Sequence, residues 1–340
     1  MTTRNESVTL IIPTVSHRAA LYARALRHLG RSGFPGPIIV SDHSPPGQFD
    51  AIAEVTERHA ELNIKVLRHT PDAHFLTRLI LCAAAAETPY VHLHADDDFL
   101  VLATLERLIG EIEGADDCVA AMGINLHASL DSREIFPLVK SAIPYPRPFD
   151  RLMAQLECYS SVLYALRRRD ELMSTFSFTV ERCPDVQFWQ YLESCVASIR
   201  GRVAVRDDLH YVRGLHGDKW SATLVRERSP DHFPYLILSA EFHPRFSAFR
   251  AALVAACEAH GVTADPAKLE GGLIHLLHRG FGAMGLPRRN TAETGSATNA
   301  AWAGLQQKLR DPATPEAIEL KCIFESARVE AGPSNAGPRT

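Results

Sequence analysis

The 340-residue chain lacks several features that mark common protein classes. No apolar run approaches the roughly 18 residues of a membrane-spanning helix, and the polar residues 1–7 hold no apolar signal-peptide segment. Its 7 cysteines include no close pair of the kind that zinc knuckles and redox sites use. With 36 basic and 40 acidic residues, the net charge of −4 argues against a general nucleic-acid binder. These absences predict a soluble, cytoplasmic protein with reduced thiols.

Strand-like and helix-like segments alternate in residues 1–125. Short apolar runs rich in β-branched residues predict strands at Val8–Thr14, Ile38–Asp42, 64–67, 90–94 and 118–123. Apolar residues at helical spacing predict helices at 19–29, 48–59, 75–86 and Leu102–Glu113. This alternation predicts βαβ units, and hence an α/β fold with a mostly parallel sheet.

The alternation stops near residue 125, where a proline-rich connection begins. Beyond it we expect helices at 151–157, 170–176 and 186–198 and an extended segment at 203–213. After residue 220 the pattern is mainly helical, with helices expected at 246–260, 266–279 and 300–308. The composition of residues 332–340 predicts a frayed tail.

An acidic triplet, Asp96, Asp97 and Asp98, follows the fourth predicted strand. Adjacent carboxylates repel one another unless a cation balances them, and hard oxygen ligands suit Mg²⁺ or Mn²⁺ together with substrate phosphates. In open α/β sheets, ligands bind at the carboxyl ends of the strands. We therefore predict a metal and phosphate site at the triplet. The alternative is a solvated acidic turn that caps the following helix.

Two other predicted strands end at the same edge of the sheet. The first ends with Pro13 and Thr14, and the second ends with Asp42. The Asp42 carboxylate is suited to accept a hydrogen bond from a nucleotide base or from a ribose hydroxyl. Its alternative role is that of a turn residue ahead of two prolines.

The segments VTLIIPT, IIVSDHS and TPYVHLHADDDFL together resemble the GT-A glycosyltransferases of the family 2 type over residues 7–220. The resemblance is to the stand-alone bacterial domain in which Thr-Pro-Tyr and a hydrophobic strand precede Asp-Asp-Asp-Phe. It implies a Rossmann-like GT-A domain that binds donor and acceptor at 1–220. The residue pattern beyond that domain predicts a helical region at 221–331, and the composition predicts a disordered tail at 332–340. That family transfers a sugar from a nucleoside diphosphate to an acceptor, usually with inversion.

The resemblance also implies roles for individual residues. Nucleotide-sugar contacts are expected from Pro13, Thr14, Ser16, Arg18, Asp42, Arg78, Asp96 and Asp97. Within this set, Asp96 is expected at the ribose and Arg78 at the diphosphate or the base. Asp98 is expected to hold Mn²⁺ or Mg²⁺, with His216 completing the metal or diphosphate shell. The alternative for His216 is an ordinary surface-loop histidine.

The general base is expected to be a carboxylate at the start of the acceptor-side helix. Asp185 follows a proline at a predicted helix N-terminus, where the helix dipole favours the ionised form. General-base assistance requires an ionised carboxylate within hydrogen-bond reach of the acceptor hydroxyl. Glu181 is the second candidate, and the alternative for Asp185 is an ordinary N-cap.

The chain also departs from the family pattern. Val15 and Ser16 stand where relatives often have an aromatic residue and Asn, and the QxxRW motif of processive polymerases is absent. We therefore predict a metal-dependent, inverting, non-processive enzyme of the hexosyltransferase type. Its donor would be a nucleoside-diphosphate sugar, UDP-sugar first, and its acceptor a glycan, lipid-linked or small-molecule hydroxyl. The alternatives are a catalytically silent sugar-nucleotide or glycan-binding module and a metal-dependent nucleotidyltransferase.

Several further patterns have two interpretations each. The GxGxxG match at 280–285 follows a helical pattern, so we interpret it as a helix end. His92 and His94 either line the site or are structural, and residues 167–169 (RRR) form a solvated helix face or meet an anionic acceptor. The aromatic residues of 233–249 are expected to pack the helical region onto the catalytic domain; their alternative is peripheral contact with the inner face of a membrane.

Overall fold

The computed structural model describes residues 4–70, 72–130, 132–138, 142–215, 236–237, 239–282 and 296–328. The strands are Val8–Thr14 (β1), Ile38–Asp42 (β2), Ile64–Arg68 (β3), Tyr90–Leu93 (β4), Asp98–Leu100 (β5), Cys118–Ser129 (β6), Ile135–Leu138 (β7), Leu166–Arg168 (β8) and Arg202–Leu215 (β9). The helices are Ala19–Arg31 (α1), Asp50–Glu57 (α2), Phe75–Ala84 (α3), Leu102–Glu113 (α4), Pro148–Glu157 (α5), Arg169–Arg182 (α6), Trp189–Arg200 (α7), Phe242–Ala259 (α8), Pro266–Gly282 (α9), Ser296–Arg310 (α10) and Pro315–Arg328 (α11). Among these described helices, none combines the length and apolar character needed to cross a bilayer.

The described strands form one sheet in the order β3-β2-β1-β4-β8-β6-β9-β5, and β7 pairs with β6. Strands β1 to β4 are parallel to one another, and β6 and β9 form a second, longer parallel pair. Antiparallel pairs join β8 to β4 and β6, and β5 to β9. The predicted α/β fold with a mostly parallel sheet is confirmed. Each antiparallel pair includes at least one of the strands β5 to β9, which follow the parallel strands β1 to β4 in the chain.

Strands β1 and β2 are almost continuously apolar because helices cover both faces of the sheet. Leu10, Ile12 and Val40 face the core formed with α1, α2 and α4. Ile11 and Ile39 point the other way, into the core formed with α3 and α6. This two-sided burial leaves the strand ends as the place where polar side chains can gather.

The predicted element bounds differ from the structure in helices as well as in strands; the helix expected at 170–176, for example, is Arg169–Arg182. The amphipathic pattern predicted Leu102–Glu113 with the bounds that the structure has. Strands expected at 118–123 and 203–213 extend to Cys118–Ser129 and Arg202–Leu215, because they pair with each other along their lengths. The last helix, Pro315–Arg328, was not predicted.

The helices after residue 240 pack against the rest of the protein through two apolar clusters. In one, Phe249 of α8 stacks on Phe188 with ring centroids 5.1 Å apart, and Phe246 lies 5.9 Å from Phe188. In the other, Leu305 of α10 and Ile323 of α11 pack against β6 and β9. The packing prediction for 233–249 is therefore confirmed for the part from Phe242 onward; Phe233 and Tyr235 lie outside the described residues. The domain boundary at residue 220 remains a prediction.

The prediction of a solvated helix face at residues 167–169 is wrong. Arg167 is fully buried in the three-residue strand β8. Its Nε and Nη2 donate to Glu171 at 2.8 and 2.9 Å, and its Nη1 donates to Glu193. Two buried carboxylates therefore balance the charge of Arg167, which is the condition under which a guanidinium is buried.

The GxGxxG match does not follow a strand. Helix α9 runs through its first residues and ends at Gly282, in agreement with the predicted helix end. Residues 283–285 lie outside the described residues.

Candidate functional site

Three strand ends bring predicted site residues together at one edge of the sheet. Thr14 and Asp42 are register partners at the ends of β1 and β2. Strand β4 lies on the other side of β1 and leads into the acidic triplet. The Thr14 hydroxyl donates to Asp96 Oδ2 at 2.8 Å, so the ends of β1 and β4 are joined by a hydrogen bond. Pro13 pairs with Ser41 at the same edge, and the hydroxyl of Ser16, in the next loop, donates to Gln48 at 2.8 Å.

Arg18 binds Asp96 through its forked guanidinium. Its Nε lies 2.9 and 3.0 Å from the two carboxylate oxygens, and its Nη2 lies 2.6 Å from Oδ1. The same Nη2 is 3.3 Å from Asp97 Oδ2. Burial raises the pKa of Asp96, and the hydrogen bonds and positive charge of Arg18 oppose that rise.

Asp98 is held by β9 on the far side of the triplet. The Gly214 N–H donates to Asp98 Oδ1 at 3.1 Å, and Arg213 Nε lies 3.6 Å from Oδ2. Arg24 of α1 donates to the main-chain carbonyl of Asp97 at 3.3 Å. Guanidinium groups from α1, from β9 and from the segment after β1 therefore surround the three carboxylates. They supply part of the positive charge that we expected to balance the repulsion among these carboxylates.

The acidic triplet is not a solvated capping turn. Asp96, Asp97 and Asp98 are only 3%, 6% and 1% exposed. Asp98 begins strand β5, and the next helix starts four residues later with Val101 at its N-cap. The helix-capping alternative is therefore wrong, whereas the expected position of the triplet at the edge of the sheet is correct.

The carboxylates of the triplet have the oxygen donor chemistry that divalent cations such as Mg²⁺ prefer. Among the described residues, no group of three or more His, Cys, Asp or Glu side chains is arranged to hold a metal ion. Mg²⁺, however, is commonly bound by one or two carboxylates together with waters and substrate phosphates. The carboxylate of Asp98 fits that arrangement and does not form part of an all-protein cage. His216, the other predicted ligand, lies outside the described residues.

Asp42 and Arg78 carry buried polar atoms that lack hydrogen-bond partners within the described part of the chain. Ser44 donates to Asp42 Oδ1 through its N–H at 2.9 Å and its hydroxyl at 2.5 Å, whereas Asp42 Oδ2 has no partner. Nε of Arg78, on α3, likewise has none. Burial, and then the charge of Arg78, lower the pKa values of His43 and His69, which shows that Arg78 lies beside the ends of β2 and β3. Buried polar groups of this kind cost free energy unless a ligand satisfies them.

Asp185, the first base candidate, follows a proline that contacts the start of α3. His74, the N-cap of α3, hydrogen-bonds the Pro184 carbonyl at 3.0 Å. Asp185 Oδ1 accepts the N–H groups of Gln187 and Phe188 at 2.8 and 2.9 Å, in the turn that precedes α7. Helix α7 begins at Trp189 with Phe188 as its N-cap, so the prediction that Asp185 is the helix N-cap is wrong. Arg245 of α8 donates to Asp185 Oδ2 at 2.5 Å. The catalytic role of Asp185 remains a prediction, as does that of Glu181, which is exposed in the last turn of α6.

A layer of buried aromatic side chains lies behind the triplet. His92, His94, His210 and Tyr211 are all fully buried. His92 Nε2 lies 3.1 Å from His210 Nε2, and the Tyr211 hydroxyl accepts the Ala95 N–H at 2.9 Å. Burial lowers the pKa of His92 to about 3 and the pKa values of His94 and His210 well below the ordinary range. These histidines are therefore neutral in the folded protein. Among the described residues, neither ring nitrogen of His94 has a hydrogen-bond partner, and both roles of His92 and His94 remain predictions.

Sequence reasoning missed three residues at this site. Arg213 lies over the ring of Tyr164 at 5.5 Å, and Tyr164 stacks on Tyr211 with centroids 5.3 Å apart. The third missed residue, after Arg213 and Tyr164, is Arg24, which lies on α1 and donates to the main-chain carbonyl of Asp97. No local pattern marks these residues, because they approach the triplet from distant parts of the chain. His92 and His94, in contrast, were visible as alternate residues of the strand predicted at 90–94.

Neither a protein-family model nor a curated protein sequence matches the chain. Solved structures do. TarS residues 1–349 from S. aureus, in complex with UDP-GlcNAc, aligns with a TM-score of 0.55 and 14% identity over 94% of this chain and 90% of that one. The chain shares its fold with TarS.

TarS 1–349 in complex with UDP aligns over the same shares of both chains, with a TM-score of 0.50 and 14% identity. The mannosyltransferase PcManGT from Pyrobaculum calidifontis, in complex with GDP-Man and Mn²⁺, aligns with a TM-score of 0.43 and 16% identity over 94% of this chain and 85% of that one. At these identities the likeness to TarS establishes the α/β fold, and the residue roles rest on the geometry of the site itself.

Proposed function

We propose that the protein is a glycosyltransferase that takes its sugar from a nucleoside-diphosphate donor. The observation that carries the proposal is that two buried polar atoms, Asp42 Oδ2 and Arg78 Nε, have no hydrogen-bond partner among the described residues. They lie beside the strand ends at which the acidic triplet is also found. A nucleotide supplies both a base that satisfies these atoms and phosphates that suit the triplet. The fold agrees, since TarS has this fold and binds UDP-GlcNAc.

The hydrogen-bond pattern favours a base that has a ring N–H beside a carbonyl oxygen, as uracil, thymine and guanine have. Asp42 Oδ2 is an acceptor and Arg78 Nε a donor. Uracil presents a ring N–H between two carbonyl oxygens, so it satisfies a carboxylate and a guanidinium together. Guanine has a comparable edge, whereas cytosine has no ring N–H for Asp42. A UDP-sugar is therefore the first donor to test, in keeping with the binding of UDP by TarS.

Asp98 is the residue that we propose as the ligand of Mg²⁺ or Mn²⁺. When bound, such an ion neutralises negative charge that develops on the departing nucleoside diphosphate. The Gly214 N–H and Arg213 hold the Asp98 carboxylate in place from β9. Arg213 also brings a fixed positive charge to the point where the phosphates would lie.

Asp185 is the residue that we propose as general base. It would take the proton of the acceptor hydroxyl as that oxygen attacks the anomeric carbon opposite the leaving nucleoside diphosphate, which inverts the configuration. The acceptor hydroxyl would have to replace Arg245 at Asp185 Oδ2. This engagement of both Asp185 oxygens also favours a second candidate function, a sugar-nucleotide-binding module without turnover.

The first experiment measures thermal stabilisation by UDP, GDP, CDP and dTDP, each with and without Mn²⁺. A ligand that binds the folded state raises the melting temperature by mass action. We expect UDP with Mn²⁺ to stabilise the wild type, Asp98→Asn to lose the metal dependence, and Asp42→Asn to lose the preference for UDP. Asp117→Asn, which changes an exposed carboxylate paired with Arg202, is the matched control and should behave as wild type.

Turnover then separates the candidate functions. Released UDP in the presence of a UDP-sugar and acceptors supports glycosyl transfer, whereas released pyrophosphate from a nucleoside triphosphate indicates a nucleotidyltransferase. Binding of UDP without turnover under any acceptor supports the silent module. If no nucleotide stabilises the wild type, the proposal is wrong.

A further inference from the structure

A row of paired residues crosses four strands of the sheet and joins the acidic triplet to strand β7. Asp98 of β5 is the register partner of Arg213 of β9. Arg213 is the partner of His127 of β6, and His127 is the partner of Phe136 of β7. Neighbouring strands lie about 4.8 Å apart, so the three steps of this row place Phe136 roughly 14 Å from Asp98 along the sheet.

The four side chains of this row lie on one face of the sheet. Paired residues of neighbouring strands point to the same face, and the residues next to them in the chain point to the other face. The chain neighbours of the row belong to the apolar cluster that α10 and α11 cover; they are Phe99, Val212, Ala128 and Ile135. The row therefore lies on the face away from those two helices.

The surface along this row is open to solvent at both ends. The ring of Phe136 is 52% exposed, and the side chain of Arg213 is 32% exposed. His127, which lies between them, is half-buried. Phe136 thus differs from other exposed apolar residues of the chain by its place on the face, and in the row, that also holds Asp98.

The chemistry of the row suits a carbohydrate. The C–H bonds on one side of a sugar ring carry partial positive charge, and the face of a phenyl ring is negative, so a sugar can stack on Phe136. The sugar's hydroxyl groups lie at the edge of its ring, where polar side chains such as His127 and Arg213 can hydrogen-bond them. A lipid chain would instead need a continuous apolar surface, which one phenyl ring beside a histidine and an arginine does not offer.

We propose that Phe136 is a stacking platform for an oligosaccharide acceptor whose reacting end lies at the acidic triplet. This assignment rests on the proposed function and names its acceptor class. Several linked sugar units span the roughly 14 Å between Asp98 and Phe136, whereas a single sugar at the triplet does not reach the ring. The acceptor is therefore a glycan of several units, and its binding strengthens with its length.

The test measures the binding of monosaccharides and of oligosaccharides of increasing length, on an array, to the full chain with UDP and Mn²⁺ present. We expect the wild type to bind the longer members of at least one oligosaccharide series more tightly than the corresponding monosaccharide. Phe136→Ala should weaken binding of the longer members about tenfold, the scale of one aromatic contact, and leave the monosaccharide unchanged. Phe136→Trp, which keeps an aromatic face, should retain the preference for length.

Tyr145→Ala is the matched control. The Tyr145 side chain is 47% exposed, but it follows Ile143, which pairs with Val203 at the opposite end of β9 from Arg213. Its change should leave oligosaccharide binding unaltered. An equal loss for Phe136→Ala at every length overturns the proposal, as does no loss or a wild type that binds no saccharide on the array. Sedimentation of wild type and variant adds a further check: a dimer that Phe136→Ala abolishes would assign the ring to a contact between copies of the chain and overturn the proposal.

The proposed function and this inference fail in distinguishable ways. A wild type that binds oligosaccharides through Phe136, and that none of the four nucleoside diphosphates stabilises, overturns the proposed function and supports a glycan-binding module. A wild type that binds UDP, with oligosaccharide binding that does not depend on Phe136, overturns the inference alone. Urea denaturation of each variant verifies that it is folded before binding is compared.

Discussion

Lowering the pH from about 7 to about 5 is expected to destabilise the protein by several kcal/mol, because four histidines are buried in the neutral form. They are His28, His92, His94 and His210, each 0% exposed. In an unfolded chain each takes up a proton near pH 6.5. In the folded protein, burial lowers the pKa of His28 to about 4 and that of His92 to about 3.

The magnitude follows from the difference in bound protons. At pH 5 the unfolded chain has protonated His28 and His92, whereas the folded protein has not. Each contributes about 2 kcal/mol of lost stability, since pH 5 lies about 1.5 units below the unfolded pKa and one unit is worth about 1.4 kcal/mol. Burial shifts His94 and His210 in the same direction. Stability is thus fully present above about pH 6.5 and is lost as the pH falls toward 4 and then 3.

Urea denaturation between about pH 7.5 and about pH 5 measures this dependence. His210→Gln removes one of the titrating groups and should reduce the slope of stability against pH by nearly one proton. A free energy of unfolding that is constant between pH 6.5 and 5 would refute the reasoning.

Two further predictions concern the core and are also checked by urea denaturation. Arg167→Met should cost about 3–5 kcal/mol, because it leaves buried carboxylates without their counter-charge. Arg169→Met, two residues along and partly exposed, loses a hydrogen bond to the Ala86 carbonyl and should cost only about 1 kcal/mol. Similar losses for both variants would contradict the assigned burial. Gly201→Ala should cost about 1–3 kcal/mol, because a Cβ there would lie 2.4 Å from the Asp117 carbonyl oxygen. Gly271→Ala, which meets open space inside helix α9, should instead stabilise by about 0.5–1 kcal/mol, and the reverse order of the two glycine variants would show that the close approach is misjudged.

The parts of the fold that could be predicted from the sequence are those whose signal is local. The stripe of apolar residues in Leu102–Glu113 predicted a helix with correct bounds, because that helix packs one face on the sheet. The three-residue strands β5 and β8 could not be predicted, since each is defined only by pairing with a distant strand. For the same reason Arg167 was placed on a solvated face, although it pairs with Glu193, 26 residues later.

The candidate site was predictable to the same extent. Thr14, Asp42 and the triplet were expected together because strand ends of a parallel sheet meet at one edge, and the structure places them there. The surrounding guanidinium groups were not expected, apart from Arg18. Arg24 and Arg213 approach from a helix face and from β9, and neither position has a signature in the sequence.

The pairing of β5 with β9 has a consequence for how the protein is made. Asp98 and Gly214, which hydrogen-bond, are 116 residues apart in the chain. Contacts of such long range form slowly, because closing the intervening loop costs conformational entropy before the contacts contribute any stabilisation. On a ribosome, strands β1 to β4 emerge and can pair long before β9 is synthesised. The acidic edge is therefore completed late in folding, and a nascent chain that stops before β9 carries the triplet without the strand that orders it.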